Sequence, residues 1–181
     1  MRAISHSAKQ KRKRLIQDII FIIILIAFDQ FTKYLAVLQL KDKSAFKIID
    51  GVLELNYLEN KGAAFGMLQN QKSFFVFVAV VFLCVIAYVL VKTPDHKKYT
   101  RLHILLVMIA GGAIGNMIDR LQHDYVVDFI YIVLINFPIF NVADMYVTFS
   151  TVLLIIQILF VYSENDFHFL SFKKKKFREL K

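Results

Sequence analysis

Four apolar runs divide the chain. Leu15 to Leu40 is interrupted by charge only at Asp18, Asp29 and Lys33. Ser73 to Val91 is 19 residues without a charge, Leu102 to Ile118 is 17 more ending against Asp119, and Ile139 to Tyr162 is 24 with Asp144 as its sole charge. A bilayer core of about 30 Å takes about 20 predominantly apolar residues in a helix, so each run is long enough to span. The first run, with Arg2, Lys9, Lys11, Arg12, Lys13 and Arg14 ahead of it, imitates a signal peptide. Its apolar part is too long for one and meets Asp29 and Lys33 where small cleavage-site residues belong. It is expected to stay attached as the first of four transmembrane helices.

Between the runs the pattern changes period. Gly51 to Leu58 alternates imperfectly, as a half-exposed strand does, and Glu59-Asn60-Lys61-Gly62 reads as the turn after it. Val126 to Val133 is β-branched and aromatic but too short to span, so it is expected to lie on the membrane surface or to cover a site. The fold class that follows is an all-α membrane protein. It has four transmembrane helices, a small extracytoplasmic β-cradle and a short amphipathic outer segment. The expected organisation is a basic N-terminal segment over 1–14, the helical domain over 15–162 and a basic C-terminal tail over 163–181.

Composition sharpens this. At 57% hydrophobic the chain is too apolar for disorder, and six glycines, two prolines and one cysteine exclude collagen-like and disulfide-framework classes. Cys84, inside the second run, reads as a packing residue. A net charge of +9 could suit a nucleic-acid binder, but the distribution of the cations argues otherwise. Of 23 Lys and Arg, 16 fall in 1–14, 92–101 and 163–181, against six in 39–72 and 119–138. Lys/Arg excess marks the cytoplasmic side. Both termini and the 92–101 loop are therefore expected to be cytoplasmic, and the lysine-rich tail to be a topology signal that contacts anionic lipid head groups. No nucleic-acid partner is implied.

The intramembrane polar residues share one depth. At about 1.5 Å per residue, Asp29 and Asn116 each lie about 21 Å from the inner surface, with Lys33 and Asp119 about one turn further out. On the fourth run, which descends from outside, Asn141 and Asp144 lie within about 8 Å of the outer surface. The pairs Asp29/Lys33 and Asn116/Asp119, and the set Asn141, Asp144 and Thr148, each have the spacing of one helical face. Gly111 and Gly115 are spaced for close helix packing. Ionisable groups inside a membrane usually face the bundle interior and function there.

The available chemistry is that of carboxylates. No Ser–His–acid set, metal-ligand spacing or phosphate loop is present, and His123 is the only histidine on the outer side. Two carboxylates held close cannot both ionise easily, so one keeps its proton while the other deprotonates a water, and peptide hydrolysis by general acid–base catalysis becomes possible. Asp29/Lys33 and Asp119/Arg120 could equally be ion pairs fastening the bundle. Asp128 and Asp144 have no cation nearby in sequence. A proton-coupled transporter would need polar groups through the whole depth, and the inner halves hold only Gln17, Asp18, Gln157 and a few hydroxyls. A scaffold would leave the unpaired acids unexplained.

Asp29-Gln30-Phe31-Thr32-Lys33, Asn60 to Gly66, Gly111 to Arg120, Val126-Val127-Asp128-Phe129 and Phe140 to Asp144 together resemble, in order, the motif set of signal peptidase II, the bacterial lipoprotein signal peptidases. The resemblance implies an intramembrane aspartyl endopeptidase in the bacterial cytoplasmic membrane, working near its extracytoplasmic face. Its substrates would be prolipoproteins, cut before a cysteine that carries diacylglyceryl. It further implies Asp128 and Asp144 as the catalytic pair, and Asn116, Asp119, Arg120 and Asn141 as residues that orient the pair and the substrate. Asn60 and Gly62 would belong to a substrate-facing cradle, and Asp29 and Lys33 to a structural contact. Globomycin-type inhibition follows from the resemblance, and no metal or organic cofactor does.

Overall fold

The computed structural model describes residues 2–62 and 67–171, with side chains from Lys9 onward. The lysine-rich stretch from Lys173 and the Ala63–Gly66 part of the second motif lie outside the described residues. The helices are α1 (Arg2–Leu40), α2 (Lys72–Lys92), α3 (Thr100–His123) and α4 (Val142–Phe160), and the strands are β1 (Phe46–Ile49), β2 (Leu53–Asn60) and β3 (Val126–Ile132). Four helical stretches are long and apolar enough to cross a membrane: Lys9–Leu40, Lys72–Lys92, Lys97–His123, which adds the 3-10 turn ahead of α3, and Val142–Phe160. The helix boundaries differ from expectation mainly at the first and third runs. α1 does not start at Leu15, because nothing in the Lys/Arg-rich stretch before it breaks a helix, and α3 runs on past Ile118 to His123.

α3 is the central element. Of its most apolar stretch, 56% is buried, against 11% in each of the other three spans. The others turn rows of Ile, Leu, Val and Phe outward, Ile19, Ile23, Phe77, Phe82, Phe149 and Ile155 among them, which is the surface that lipid covers. Where hydrocarbon surrounds the helices, their association rests on close packing rather than on the hydrophobic effect. The small residues of α3 supply it. A Cβ on Gly112 would stand 2.5 Å from the Ala143 carbonyl oxygen of α4, and one on Gly115 would stand 2.5 Å from Asp29 Oδ2 of α1.

The strands form one antiparallel sheet in the order β1-β2-β3. Two expectations are corrected here. Glu59 and Asn60 end β2 rather than making a turn, because they pair with Val127 and Val126. The Val126–Ile132 segment, expected on the membrane surface or over a site, is the strand β3, whose first four residues are buried. Val127 and Phe129 pack with Ala36 and Leu40 of α1, which roots the sheet on that helix. The exposed apolar part of the outer segment is the short 3-10 turn Val133–Ile135, with Leu134 and Ile135 facing out.

The chain then folds back on β3. Phe140 N donates to the Ile130 carbonyl at 3.0 Å, and Ile130 N donates to the Phe140 carbonyl at 2.8 Å. This bridge settles the path of the long apolar connection. It seats Phe140, two residues before α4, against the strand that carries Asp128.

Candidate active site

The end of the bundle that carries the sheet holds two groups of buried carboxylates that meet at a shared asparagine. In the first, Lys33 reaches Asp29 Oδ2 at 2.9 Å, Asp119 Oδ2 at 3.0 Å and Asn116 Oδ1 at 2.8 Å, while only 3% exposed. Gln30 donates to Asp119 Oδ1 at 2.8 Å and to the Gly115 carbonyl at 3.2 Å. Both carboxylates also take backbone donors from other elements: Asp29 Oδ1 accepts from Ala143 N of α4 at 3.0 Å, and Asp119 Oδ2, the oxygen that also meets Lys33, accepts from Val127 N of β3 at 3.1 Å. One ammonium against two carboxylates therefore ties α1, α3, α4 and β3 together. Asp119 is bound to Lys33 and not to Arg120, contrary to one pairing that adjacency in sequence suggested. Neighbours i, i+1 on a helix point apart.

In the second group, Asp128 comes from β3 and Asp144 from the first turn of α4. Asn60 Nδ2 donates to Asp128 Oδ2 at 2.8 Å, and Asn141 Nδ2 donates to Asp128 Oδ1 at 2.7 Å. Asn116 Nδ2 donates to Asp144 Oδ1 at 2.8 Å. Asn141 is not on the helical face of Asp144 and Thr148 but is the cap of α4: its Oδ1 accepts from Asp144 N at 3.0 Å, and Asp144 Oδ2 accepts from Asn141 N at 3.1 Å. That reciprocal capping box satisfies two helix-end donors and fixes the Asp144 rotamer. It also aims the Asn141 amide at Asp128. A single residue thus holds both carboxylates.

Both acids border one cavity of about 660 Å³. Its polar end carries Asn60, Asn116, Arg120 and the two aspartates, and the rest of its wall includes Phe137, Phe140, Met145, Phe149 and Val152. Arg120 donates to the Gly62 carbonyl at 3.2 Å and lies over the Phe75 ring at 4.6 Å, so the cavity edge is pinned across β2, α2 and α3. Burial, and then the neighbouring Asp144 charge, push the Asp128 carboxyl up to about 7 against the pull of the Asn60 and Asn141 amides. Among the described residues neither acid forms an ion pair. Lys33 and Arg120 act on them only at longer range.

The structure thus brings Asn60, Gly62, Asn116, Arg120, Asp128, Asn141 and Asp144 to one place, and puts Asp119 with Asp29 and Lys33. A further, part-buried pair had no sequence signal: Asp18 Oδ2 meets His103 Nδ1 at 2.8 Å between α1 and α3, towards the other end of the bundle. Only the helix pairing places them together.

The model of the family described as signal peptidase (SPase) II matches residues 21–160. The chain belongs to the signal peptidase II family. It is accordingly an aspartic peptidase and a multi-pass membrane protein. It is 43% identical over 137 residues to the lipoprotein signal peptidase of Caldanaerobacter subterraneus subsp. tengcongensis, covering 75% of this chain and 91% of that protein. It is also 38% identical over 156 residues to that of Streptococcus pyogenes serotype M5, covering 86% and 98%. A bacterial membrane enzyme solved by the in meso method at 2.3 Å resolution superposes with a TM-score of 0.72 at 31% identity, over 88% of this chain and 94% of that one. The regions matched take in both carboxylate groups of this signal peptidase II chain, and its sheet-on-bundle architecture is that of a solved membrane enzyme.

Proposed function

We propose that the chain removes signal peptides from prolipoproteins at the outer face of the bacterial cytoplasmic membrane, cutting before a diacylglyceryl-modified cysteine, with Asp128 and Asp144 as the catalytic pair. The observation that carries this is the pair itself: two carboxylates without ion-pair partners among the described residues, joined through Asn141, at the polar end of an otherwise apolar cavity. The printed names of the relatives support the substrate class. The apolar wall along α4 suits the acyl chains of a lipidated cysteine, and the excess of Lys and Arg in 1–14, 92–101 and 163–181 supports cytoplasmic termini. The peptidase unit is residues 15–162, with the flanking basic segments setting orientation.

In this mechanism the raised Asp128 carboxyl holds the proton near neutral pH. Asp144 is assigned the role of base: it accepts from Asn116 and from the Asn141 N–H at a helix N-terminus, where negative charge is favoured. Asp144 takes a proton from the attacking water, and Asp128 gives its proton to the leaving amine. Asn116 and Asn141 keep the two carboxyls in register. Arg120 and Gly62, bonded to each other at the cavity edge, orient the substrate backbone together with Asn60. Asp119 orients the pair through Val127 N and β3 rather than by contact with it. Globomycin-type peptides would occupy the same cavity.

The test is incubation of the purified enzyme with one precursor in lipidated and unlipidated forms. Cleavage of the lipidated form alone, blocked by globomycin, is the expected result. Equal cleavage of both overturns the lipid requirement, and cleavage of neither overturns the proposed activity.

A further inference from the structure

At the end of the bundle away from the carboxylates, a second cavity of about 700 Å³ opens between the start of α1 and the start of α3. Asp18, in its wall, is about 16 Å along α1 from Asp29, so this space is separate from the catalytic one. Its rim carries Lys13, Arg14 and Lys97. Arg14 is committed, donating to Asp95 Oδ1 at 3.1 Å and to Thr100 Oγ1 at 2.8 Å, and it clasps α1 to the α2–α3 loop. Deeper in, Asp18 is held by His103, which is 3% exposed and whose Nε2 is buried without a hydrogen-bond partner. Both acids of the wall are thus engaged. Lys13 of α1 and Lys97, three residues before α3, both line the cleft, are exposed and, among the described residues, form no ion pair.

The base of the cleft is different. Phe21, Ile104 and Val107 line it, and Phe21 and Ile104 are 39% and 44% exposed, continuous with the outward apolar surface of α1 at Ile16, Ile20 and Ile24. Lys13 and Arg14 stand immediately before the apolar run that begins at Leu15, and Lys97 stands three residues before α3. The cationic mouth therefore sits at the level where a bilayer's phosphates lie, and the apolar base at the level of its acyl chains. A soluble anion would use only the mouth. A phospholipid of negative net charge matches both parts, and basic pockets between helices on the cytoplasmic side are the usual form of such a site.

We propose that this cleft is a binding site for one anionic phospholipid, its phosphate held between Lys13 and Lys97 and an acyl chain laid along Phe21 and Ile104. The occupant bridges α1 and α3, adding to the Arg14–Asp95 and Asp18–His103 links at the end of the bundle that has no sheet to hold it.

Native mass spectrometry of the full chain in neutral detergent, with phosphatidylglycerol, phosphatidylcholine or inorganic phosphate added, tests this. The expected result is one retained phosphatidylglycerol per chain, bound about tenfold more tightly than phosphatidylcholine and not displaced by millimolar phosphate. In K13E/K97E that preference disappears, while cleavage of a lipidated precursor in detergent persists. Should K13E/K97E fail to accumulate, K13Q/K97Q serves instead, with the same preference lost. Equal retention of the two lipids overturns the proposal. So does displacement by phosphate, which makes the site one for a soluble anion, or an unchanged preference in the lysine variants, which puts the lipid elsewhere, the catalytic cavity included.

Discussion

Two carboxylate groups lie side by side at the sheet-bearing end of this protein, and they are built on opposite terms. Asp29 and Asp119 share the Lys33 ammonium and also accept from backbone N–H groups of α4 and β3. Asp128 and Asp144 receive only amide donors and face a cavity. Burying a charge is costly unless it is paired and hydrogen-bonded. The first group meets that condition and works as a fastener between elements. The second meets it in part, and the unmet remainder leaves one carboxyl near neutrality as a usable acid. Asn116 touches both groups, so the fastener also sets the position of the reactive pair.

The comparison breaks most sharply under neutral isosteres. Asp128→Asn or Asp144→Asn should lower processing of a lipidated precursor by at least about a thousandfold, within the range general acid–base catalysis contributes, while the protein still inserts and accumulates. Activity in either variant within tenfold of wild type would sink the assignment. Lys33→Met should do the reverse, destabilising the fold by about 3–5 kcal/mol because two buried carboxylates lose their cation. Thermal unfolding in detergent reads it, and a midpoint equal to wild type would mean that Lys33 is no fastener.

A steric probe comes next in size. Gly115→Ala drives a methyl against Asp29 Oδ2 and should cost about 1–3 kcal/mol, measured by the same unfolding, with kcat changing less than the midpoint. The smallest effects concern the proton. Asp128, carried up to about 7 from an ordinary 3.8, should put a falling limb on kcat/KM as pH rises through about 7. Asn141→Ser keeps a capping oxygen but removes a donor to the Asp128 carboxylate, so that limb should move to higher pH. In stability the sign is the same. A carboxyl whose folded pKa is raised stabilises the fold most below its unfolded value and loses that contribution as pH rises through the folded one. Wild type should therefore lose stability between about pH 4 and pH 7 relative to D128N. Parallel pH profiles for the two would remove Asp128 from the titration.

Much of this layout was legible along the chain, and unevenly so. The four spans were readable because a helix in hydrocarbon satisfies its own backbone, so length and apolarity suffice to find one. Asp29/Lys33 was readable because i, i+4 neighbours meet on any helix. β1 left little trace: Phe46–Ile49 is four residues with every side chain exposed, and it is a strand only because β2 pairs with it. The strand character of 126–132 was obscured by its apolarity, which fits a membrane-surface segment as well as a buried strand. The Asp119 partner and the Asp18–His103 pair are contacts between helices, for which spacing within one helix holds no information.

The sequence by itself determined the number of spans, the common depth at which their polar residues gather, and the shortage of any chemistry but that of carboxylates. These are properties of local period and composition. Which acids are neutralised and which are left reactive was decided only in three dimensions. Lys33 is one ammonium among several nearby aspartates, and the close approach of α3 at Gly112 and Gly115, the seating of β3 on α1 and the Phe140–Ile130 bridge determine which two it reaches. Asp128 and Asp144 lie beyond direct contact with it, held by amides that position a carboxylate without neutralising it.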